Sequence, residues 1–432
     1  MTYDVIVLGA GLAGLSCARD LMLGGADVLV VEARDRVGGR VDQATLPDGR
    51  LVQLGGEVVG RGHTAYLGLV SELGLSLVPS YVAEPGEIVY STASSVSAGR
   101  PGWFTPADVA SDEKVTAAFV ALAKTVDPDD PWSHPDADRL DRLPVSAWLR
   151  EAGATEGVVR LWEIGQLGLA GGSYDRISLL SELRKSAAVP SAGHYEYDDW
   201  EGLRVAEGSA TVALRLAASV QVRAGAPVAA VRIAPSGCTV TLASGEELTT
   251  SAVVSALPVG PLRGVHVDGV SSARLSSLHR QRNALAAKLA VAYPRPFWRD
   301  LGRNGLSECE GVLGSTWPQS EGVLSALIPP ERYAVLLGIP PRLRISELLA
   351  EVTRMYGPAE PIAAYLRFWG TDPWTQGYVT QWAPGDVMAV GPPHGTHEPP
   401  FYVCGSDQWV AGYMEGAVRT GRTAAREALR RG

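Results

Sequence analysis

The segment Tyr3-Asp4-Val5-Ile6-Val7-Leu8-Gly9-Ala10-Gly11-Leu12-Ala13-Gly14-Leu15 constrains this chain more than any other, and Val28-Leu29-Val30-Val31-Glu32 completes it. Val5 to Leu8 is a short β-branched apolar run that stops at a glycine. Ala and Leu then recur at helical spacing to about Leu23, before the Gly24-Gly25 stop. Gly9-x-Gly11-x-x-Gly14 supplies a tight turn, a close backbone approach to a pyrophosphate and tight helix-against-strand packing, with free helix amides facing the phosphates. Glu32 ends the second strand, where an acid accepts hydrogen bonds from a ribose. Strand, glycine turn, helix, strand and acid together predict a bound adenine dinucleotide.

A chain of 432 residues is too long for one compact core, so two domains or a discontinuous pair are expected. Its 46% hydrophobic and 20% charged residues describe an ordinary soluble globular protein. A net charge of −9 disfavours nucleic acid or an anionic membrane surface as the main partner. Cys17, Cys238, Cys309 and Cys404 are far apart and form no CxxC or Cys/His spacing, so neither a disulfide frame nor a metal site is expected. No apolar run approaches a membrane span and only two residues precede the first strand. The reading is a cytoplasmic protein in a reducing compartment.

After Glu32 come Ala33, Arg34, Asp35, Arg36, Val37, Gly38, Gly39 and Arg40, then Leu54, Gly55 and Gly56. Two double glycines let the backbone lie close against something large and flat, and the arginines are placed to contact pyrophosphate. E-A-R-D-R-V-G-G-R followed by L-G-G resembles the two-dinucleotide-binding flavoproteins of the flavin amine oxidase (monoamine oxidase) family. The resemblance implies FAD rather than NAD. It implies an α/β fold, more fully an α+β two-domain one: a discontinuous, Rossmann-like two-dinucleotide-binding FAD domain over 1-75, 205-270 and 380-432. A mixed helical and antiparallel-sheet substrate domain is expected over 76-204 and 271-379.

Between these motifs, Tyr66 to Leu73, Val145 to Ala152 and Val158 to Leu169 read as helices, Pro101 to Pro106 as a turn region, and Asp127 to Pro135 as a break. Glu207-Gly208-Ser209 resembles the family's return to the FAD domain. Pro227 to Arg232 reads as a strand, and the family's Val228 position lies near the adenine. Ser244-Gly245 reads as a hairpin turn, and Val253 to Pro258 as a separate buried run.

Ala284 to Tyr293 reads as one apolar strand carrying a single charge, Lys288, ahead of Pro296-Phe297-Trp298. In the family a lysine at this place is held through a water against the flavin N5. Trp369, Asp372-Pro373-Trp374-Thr375-Gln376-Gly377-Tyr378-Val379 and Pro384-Gly385 resemble the flavin-edge segment, where covalent members carry a cysteine; none lies between Cys309 and Cys404, so FAD should be non-covalent. Counting from Trp369 puts Tyr378 at the cysteine position and Val379 in the aromatic cage. Counting back from Pro384-Gly385 puts Tyr378 in the cage itself.

The last motif joins Cys404-Gly405-Ser406-Asp407 to Gly412-Tyr413-Met414-Glu415-Gly416, a strand end followed by a helix start. Backbone amides and a helix N-terminus there sit under the flavin pyrimidine and pyrophosphate and favour the anionic reduced ring. The resemblance makes Tyr413 a cage tyrosine standing against the flavin.

The implied reaction removes a hydride from the carbon beside an amine nitrogen, gives an imine, and returns the electrons to O2 as peroxide. A small-molecule amine and O2 are the expected partners, with no nucleic acid and no membrane, and a homodimer is compatible. Amino-acid oxidases of the family place an arginine two residues after the second Gly-Gly; Glu57 and Val58 follow Gly56 here, and Arg61 is off register. An amine without a carboxylate is therefore expected, a polyamine or cyclic amine, with Glu57 facing a cationic substrate tail. The alternatives are an L-amino-acid oxidase, a desaturase-like flavoenzyme on the same fold, and a catalytically silent FAD-binding scaffold.

Overall fold

The computed structural model describes residues 2–189 and 193–430; the outermost ends of the expected FAD-domain segments, and 190–192 of the first substrate-domain segment, lie outside the described residues. The strand Thr2–Leu8 pairs in parallel with Val28–Val31 on one side and with Glu247–Ser255 on the other. The helix Leu12–Leu23 connects the first two. Gln221–Arg223 extends the sheet beyond Val28–Val31, again in parallel. The far half is antiparallel, Val228–Ala234 against Gly237–Leu242 against the beginning of Glu247–Ser255.

Glu247–Ser255 is one strand where the sequence reads a hairpin arm and a separate run. Its first residues pair with Gly237–Leu242, and Val253 to Ser255 then switch to Phe401–Val403 in parallel. That switch brings the end of the chain beside its start. The helix Tyr413–Leu429 packs on Leu12–Leu23 so closely that a Cβ at Gly421 would lie 2.4 Å from the Ala13 carbonyl oxygen.

A second sheet of seven strands combines Glu87–Ser91 and Val96–Ala98 with five strands drawn from 287–368. Ala287–Ala292, buried along its whole length, lies between Ala363–Phe368 and Val323–Ile328. The expected single strand over 284–293 is broken. Arg282–Ala284 pairs instead with Val379–Gln381 in a separate ribbon, and the amides of Trp369 and Gly370 both donate to the Ala286 carbonyl at the break.

Helices Pro106–Ala123, Val145–Glu151, Glu156–Gln166 and Leu179–Ala188 form an apolar cluster around Phe119, Trp148, Trp162 and Leu183. Pro106–Ala123 starts directly after the expected turn, with Thr105 and Asp108 forming a reciprocal cap. Among the described residues, no helix is long and apolar enough to cross a membrane, and no group of His, Cys, Asp or Glu is arranged to hold a metal ion.

Candidate active site

The first glycine loop is tied into shape by its own acid. Glu32 accepts the Ala10 amide at 2.7 Å and the Arg34 amide at 2.9 Å, so the turn and the end of the second strand are fixed to one carboxylate. Gly9 adopts φ +100°, and a Cβ at Gly14 would lie 2.0 Å from the Gly9 carbonyl oxygen, so a side chain at either position breaks the turn. Gly38 donates its amide to the Ala10 carbonyl at 2.8 Å, setting the second double glycine directly against the first loop.

Arg40 joins this end of the chain to the other. It donates to Asp407 at 2.8 Å, to the Ser406 hydroxyl at 2.7 Å and to the Tyr378 carbonyl at 3.1 Å. Asp407 also accepts the Val259 amide at 3.1 Å. Arg34 is held by Asp372, which caps the Trp374 amide at 2.9 Å.

One large cavity, about 2400 Å³ of empty space when its solvent-open part is counted, is lined by residues from both sheets. Its wall contains Gly9, Gly11, Glu32, Ala33, Arg34, Gly38, Gly39 and Arg40 at one end. Gly55, Gly56, Glu57, Lys288, Trp374, Tyr378, Val379, Gly405, Ser406, Tyr413 and Met414 continue it. Four expected residues stand outside that wall. Gly14 packs under Gly9, Leu54 offers its carbonyl to the Trp369 indole at 3.0 Å, Asp407 anchors Arg40 from behind, and Val228 packs into the core around Ile6 and Leu8. Both Tyr378 and Val379 line the cavity, so neither count of the flavin-edge segment is excluded.

Lys288 is 5% exposed and Glu57 4%. The ammonium donates to the Glu57 carboxylate at 2.5 Å and to the Gly55 carbonyl at 2.8 Å. Burial holds the lysine pKa below its ordinary value although Glu57 pulls it the other way. Glu57 also accepts the Trp317 indole N–H. Expected to face a substrate's cationic tail, this carboxylate is instead committed to Lys288, because both groups are buried and each needs the other's charge. Arg61, the off-register arginine, pairs with Asp198 at 2.6 Å on the surface.

Tyr413 begins the last helix at φ +58°, a left-handed conformation that a tyrosine adopts only where its surroundings impose it. Trp200 and His63 pack against its ring at centroid distances of 5.4 and 5.1 Å. Its hydroxyl lies 2.7 Å from that of Tyr195, which donates to Glu201 at 2.6 Å, while Tyr81 donates to the other Glu201 oxygen. Burial raises the Glu201 pKa. Glu308 accepts the Tyr197 hydroxyl at 3.1 Å, and burial pushes it up to about 8. Burial lowers His63 to about 4, leaving it neutral, with Nδ1 accepting the Gly60 amide. The Lys185 ammonium sits over the rings of Tyr195, Trp200 and Tyr413 at 5.3, 5.5 and 6.0 Å.

Glu201, Glu308, Lys185, Tyr81 and Tyr197 line the cavity but escape the sequence reading. They come from segments without a recognisable motif. The signals present are the acid- and aromatic-dense run His194 to Glu201 and a lone acid in the strand Arg303–Cys309.

A dinucleotide sheet opening onto a glycine-walled cavity, with a buried lysine and tyrosines further along the same wall, defines a flavin-dependent oxidoreductase. The family model for flavin containing amine oxidoreductases matches residues 12–429, and the chain belongs to that family. Putrescine oxidase of Kocuria rosea is 31% identical over 99% of this chain and 95% of its own length. Cyclohexylamine oxidase of Brevibacterium oxydans superposes with a TM-score of 0.90 at 26% identity, covering 100% of this chain and 99% of the other. Wild-type putrescine oxidase bound to putrescine superposes at 0.88 with 27% identity, covering 99% of each chain. The chain is therefore an FAD-dependent amine oxidoreductase. Its own residues fit the cofactor: Gly9, Gly11, Gly38, Gly39, Gly55, Gly56, Gly405 and Gly412 line the cavity, a cradle of bare backbone that side chains would fill.

Proposed function

We propose that the chain holds FAD non-covalently and oxidises a primary amine carrying a second cationic group, releasing an imine and passing the electrons to O2 as peroxide. When bound, the flavin supplies the hydride acceptor and the route to O2. The reading is carried by one observation: Tyr413, Tyr378, Lys288, Glu201 and Glu308 line the same cavity that begins at Gly9, Gly11 and Glu32.

Tyr413 and Tyr378 narrow the passage with apolar ring surface, where burial favours an uncharged amine over its ammonium. Their hydroxyls are turned onto Tyr195 and the Gly168 carbonyl, which holds the rings in place. Glu308 is the group suited to a distal ammonium, since a cation beside this buried carboxyl restores its ionised form and makes a charge-assisted hydrogen bond. Lys288, fixed on Gly55 and Glu57, holds a charge beside the second double glycine, where a bound water would assist reoxidation. No cysteine is among the described residues of the wall, and Cys404 is buried in the core, which supports non-covalent retention.

An amino-acid oxidase needs a cation to clamp a carboxylate. Lys288 is committed to Glu57, Lys185 faces Glu201 from over the rings of Tyr195 and Trp200, Arg61 is on the surface, and Val58 stands where the arginine is required. A silent scaffold has no use for a buried ion pair on the cavity wall.

Peroxide release by the purified yellow protein should be measured with putrescine, cadaverine, butylamine, cyclohexylamine and L-amino acids. Diamines are expected to turn over with a KM about tenfold or more below that of the matched monoamine, the worth of one charge-assisted hydrogen bond. Turnover of no amine overturns the reading, and preference for L-amino acids replaces the substrate class.

A further inference from the structure

An alkylamine reaches the cavity as an ammonium, because its pKa is close to that of a lysine side chain, about 10.4. Loss of a hydride from the adjacent carbon needs the nitrogen lone pair, so a proton must leave the ammonium inside the cavity. Several groups on or behind its wall are basic in name only. Lys288 is engaged by Glu57, and neutral His63 uses Nδ1 on the Gly60 amide. Glu308 is assigned to the distal ammonium, and among the described residues neither it, bonded to Tyr197, nor Glu182, bonded to Tyr174 at 3.2 Å, is linked through a hydroxyl to Tyr413.

We propose that Glu201 takes this proton, through the hydroxyls of Tyr413 and Tyr195. The inference rests on the amine-oxidase reading and names its proton path. The hydrogen-bond directions carry it. An ionised Glu201 only accepts, so Tyr195 must point its single O–H proton at Glu201, as Tyr81 does at the other oxygen. The Tyr195 oxygen is then an acceptor, and the Tyr413 proton, 2.7 Å between oxygens, points to it. Among the described residues nothing donates to the Tyr413 oxygen, so its lone pairs can take an N–H donor, on a residue that lines the cavity.

In the transfer one ammonium N–H bond breaks and one Glu201 O–H bond forms. The Tyr413 and Tyr195 protons each move one oxygen along. A positive and a negative charge become two neutral groups, which a buried site favours. No electrons move in this step. Hydride loss from the neutral amine leaves a protonated imine, whose hydrolysis yields the ammonium, and the Glu201 proton leaves with the peroxide, which needs one proton besides the hydride.

Groups from every neighbouring element face this carboxyl. Lys185, on the helix Leu179–Ala188, favours its ionised form, and Glu57 opposes it. Tyr81, Tyr195, Tyr197, Tyr413 and Glu308 complete the surround. Burial raises the carboxyl's affinity for a proton, and Lys185 works against that rise.

The test is anaerobic flavin reduction by stopped flow in the holoenzyme, comparing wild type with E201Q and Tyr195→Phe. Two amines are used: a strongly basic alkylamine, and a β-fluorinated one that is already neutral at the assay pH. With the basic amine, E201Q is expected to lose up to about a thousandfold at about pH 7.4, because only the neutral fraction of a base of pKa about 10.4 remains competent. Its reduction rate should rise in proportion to hydroxide up to the amine's own pKa. With the neutral amine the loss should shrink to a few-fold, which a merely structural role cannot produce. Tyr195→Phe breaks the chain while keeping the carboxylate, which loses one of its two tyrosine donors, and should show the same split if E201Q fails to retain flavin. Equal losses with both amines, or a wild-type pH profile in either variant, overturn the proposal. Failure of wild type to be reduced by any amine overturns the functional reading instead.

Discussion

Arg40 and Asp407, 367 residues apart in the chain, meet at 2.8 Å beside the flavin cavity, and the same guanidinium reaches Ser406 and the Tyr378 carbonyl. The contact ties the early glycine motif to the late one. It also fixes the flavin-edge segment to both.

Arg40→Ala should therefore weaken flavin retention. A charge-assisted bond contributes about 1.5–3 kcal/mol, so flavin affinity is expected to fall by about tenfold or more. Asp407→Asn should cost less, because the Val259 amide can still donate to the retained side-chain oxygen. Flavin content after gel filtration, read from the visible band against protein absorbance, checks both.

Lys288→Met should slow reoxidation by O2 at least about tenfold while changing anaerobic reduction by only a few-fold. It also leaves Glu57 buried without its cation, so stability should fall by about 3 kcal/mol or more. The double variant with Glu57→Gln should recover part of that loss but none of the reoxidation rate. Stopped-flow mixing with O2 and denaturant unfolding separate the two effects.

Burial pushes the Glu308 carboxyl up to about 8. Its folded pKa lies above the ordinary value of 4.5, so its contribution to stability is full below about pH 4.5 and is lost as pH rises through about 8. Glu308→Gln should remove this loss and raise the melting temperature relative to wild type above about pH 8. In the same pH window the wild-type KM for a diamine should fall as the carboxyl ionises, while the KM of a matched monoamine shows no such step. KM measured from about pH 6 to 9 for both substrates checks this.

Glu415, fully buried, accepts the amides of Ala65 and Tyr66 at 3.2 and 2.8 Å and so caps the helix Thr64–Glu72. Glu415→Ala leaves those donors unpaired and should cost about 1–2 kcal/mol. Glu415→Gln, which keeps acceptor oxygen, should cost about half as much. Thermal unfolding of the holoenzyme measures the difference.

The amino-acid sequence by itself determines the dinucleotide end of this protein. Gly9 and Gly14 are set by backbone demands within a single turn, and Glu32 by the end of the strand beside it, so each requirement is local and leaves a residue type at a fixed place. The late motif around Tyr413 is legible for the same reason: a glycine at φ +68° and a tyrosine at +58° start a helix against the cavity.

Tertiary structure alone decides the chemistry of the other end. Glu57 reads from sequence as a loop acid for substrate, yet folding buries it against a lysine 231 residues away and commits its charge there. Glu201 and Glu308 carry no motif, because a carboxyl's affinity for a proton depends on burial and on partners from other elements: Tyr81, Tyr195 and Tyr197. Residue types can be read along a chain, but the desolvation that gives them their protonation states exists only once the two sheets have closed around the cavity.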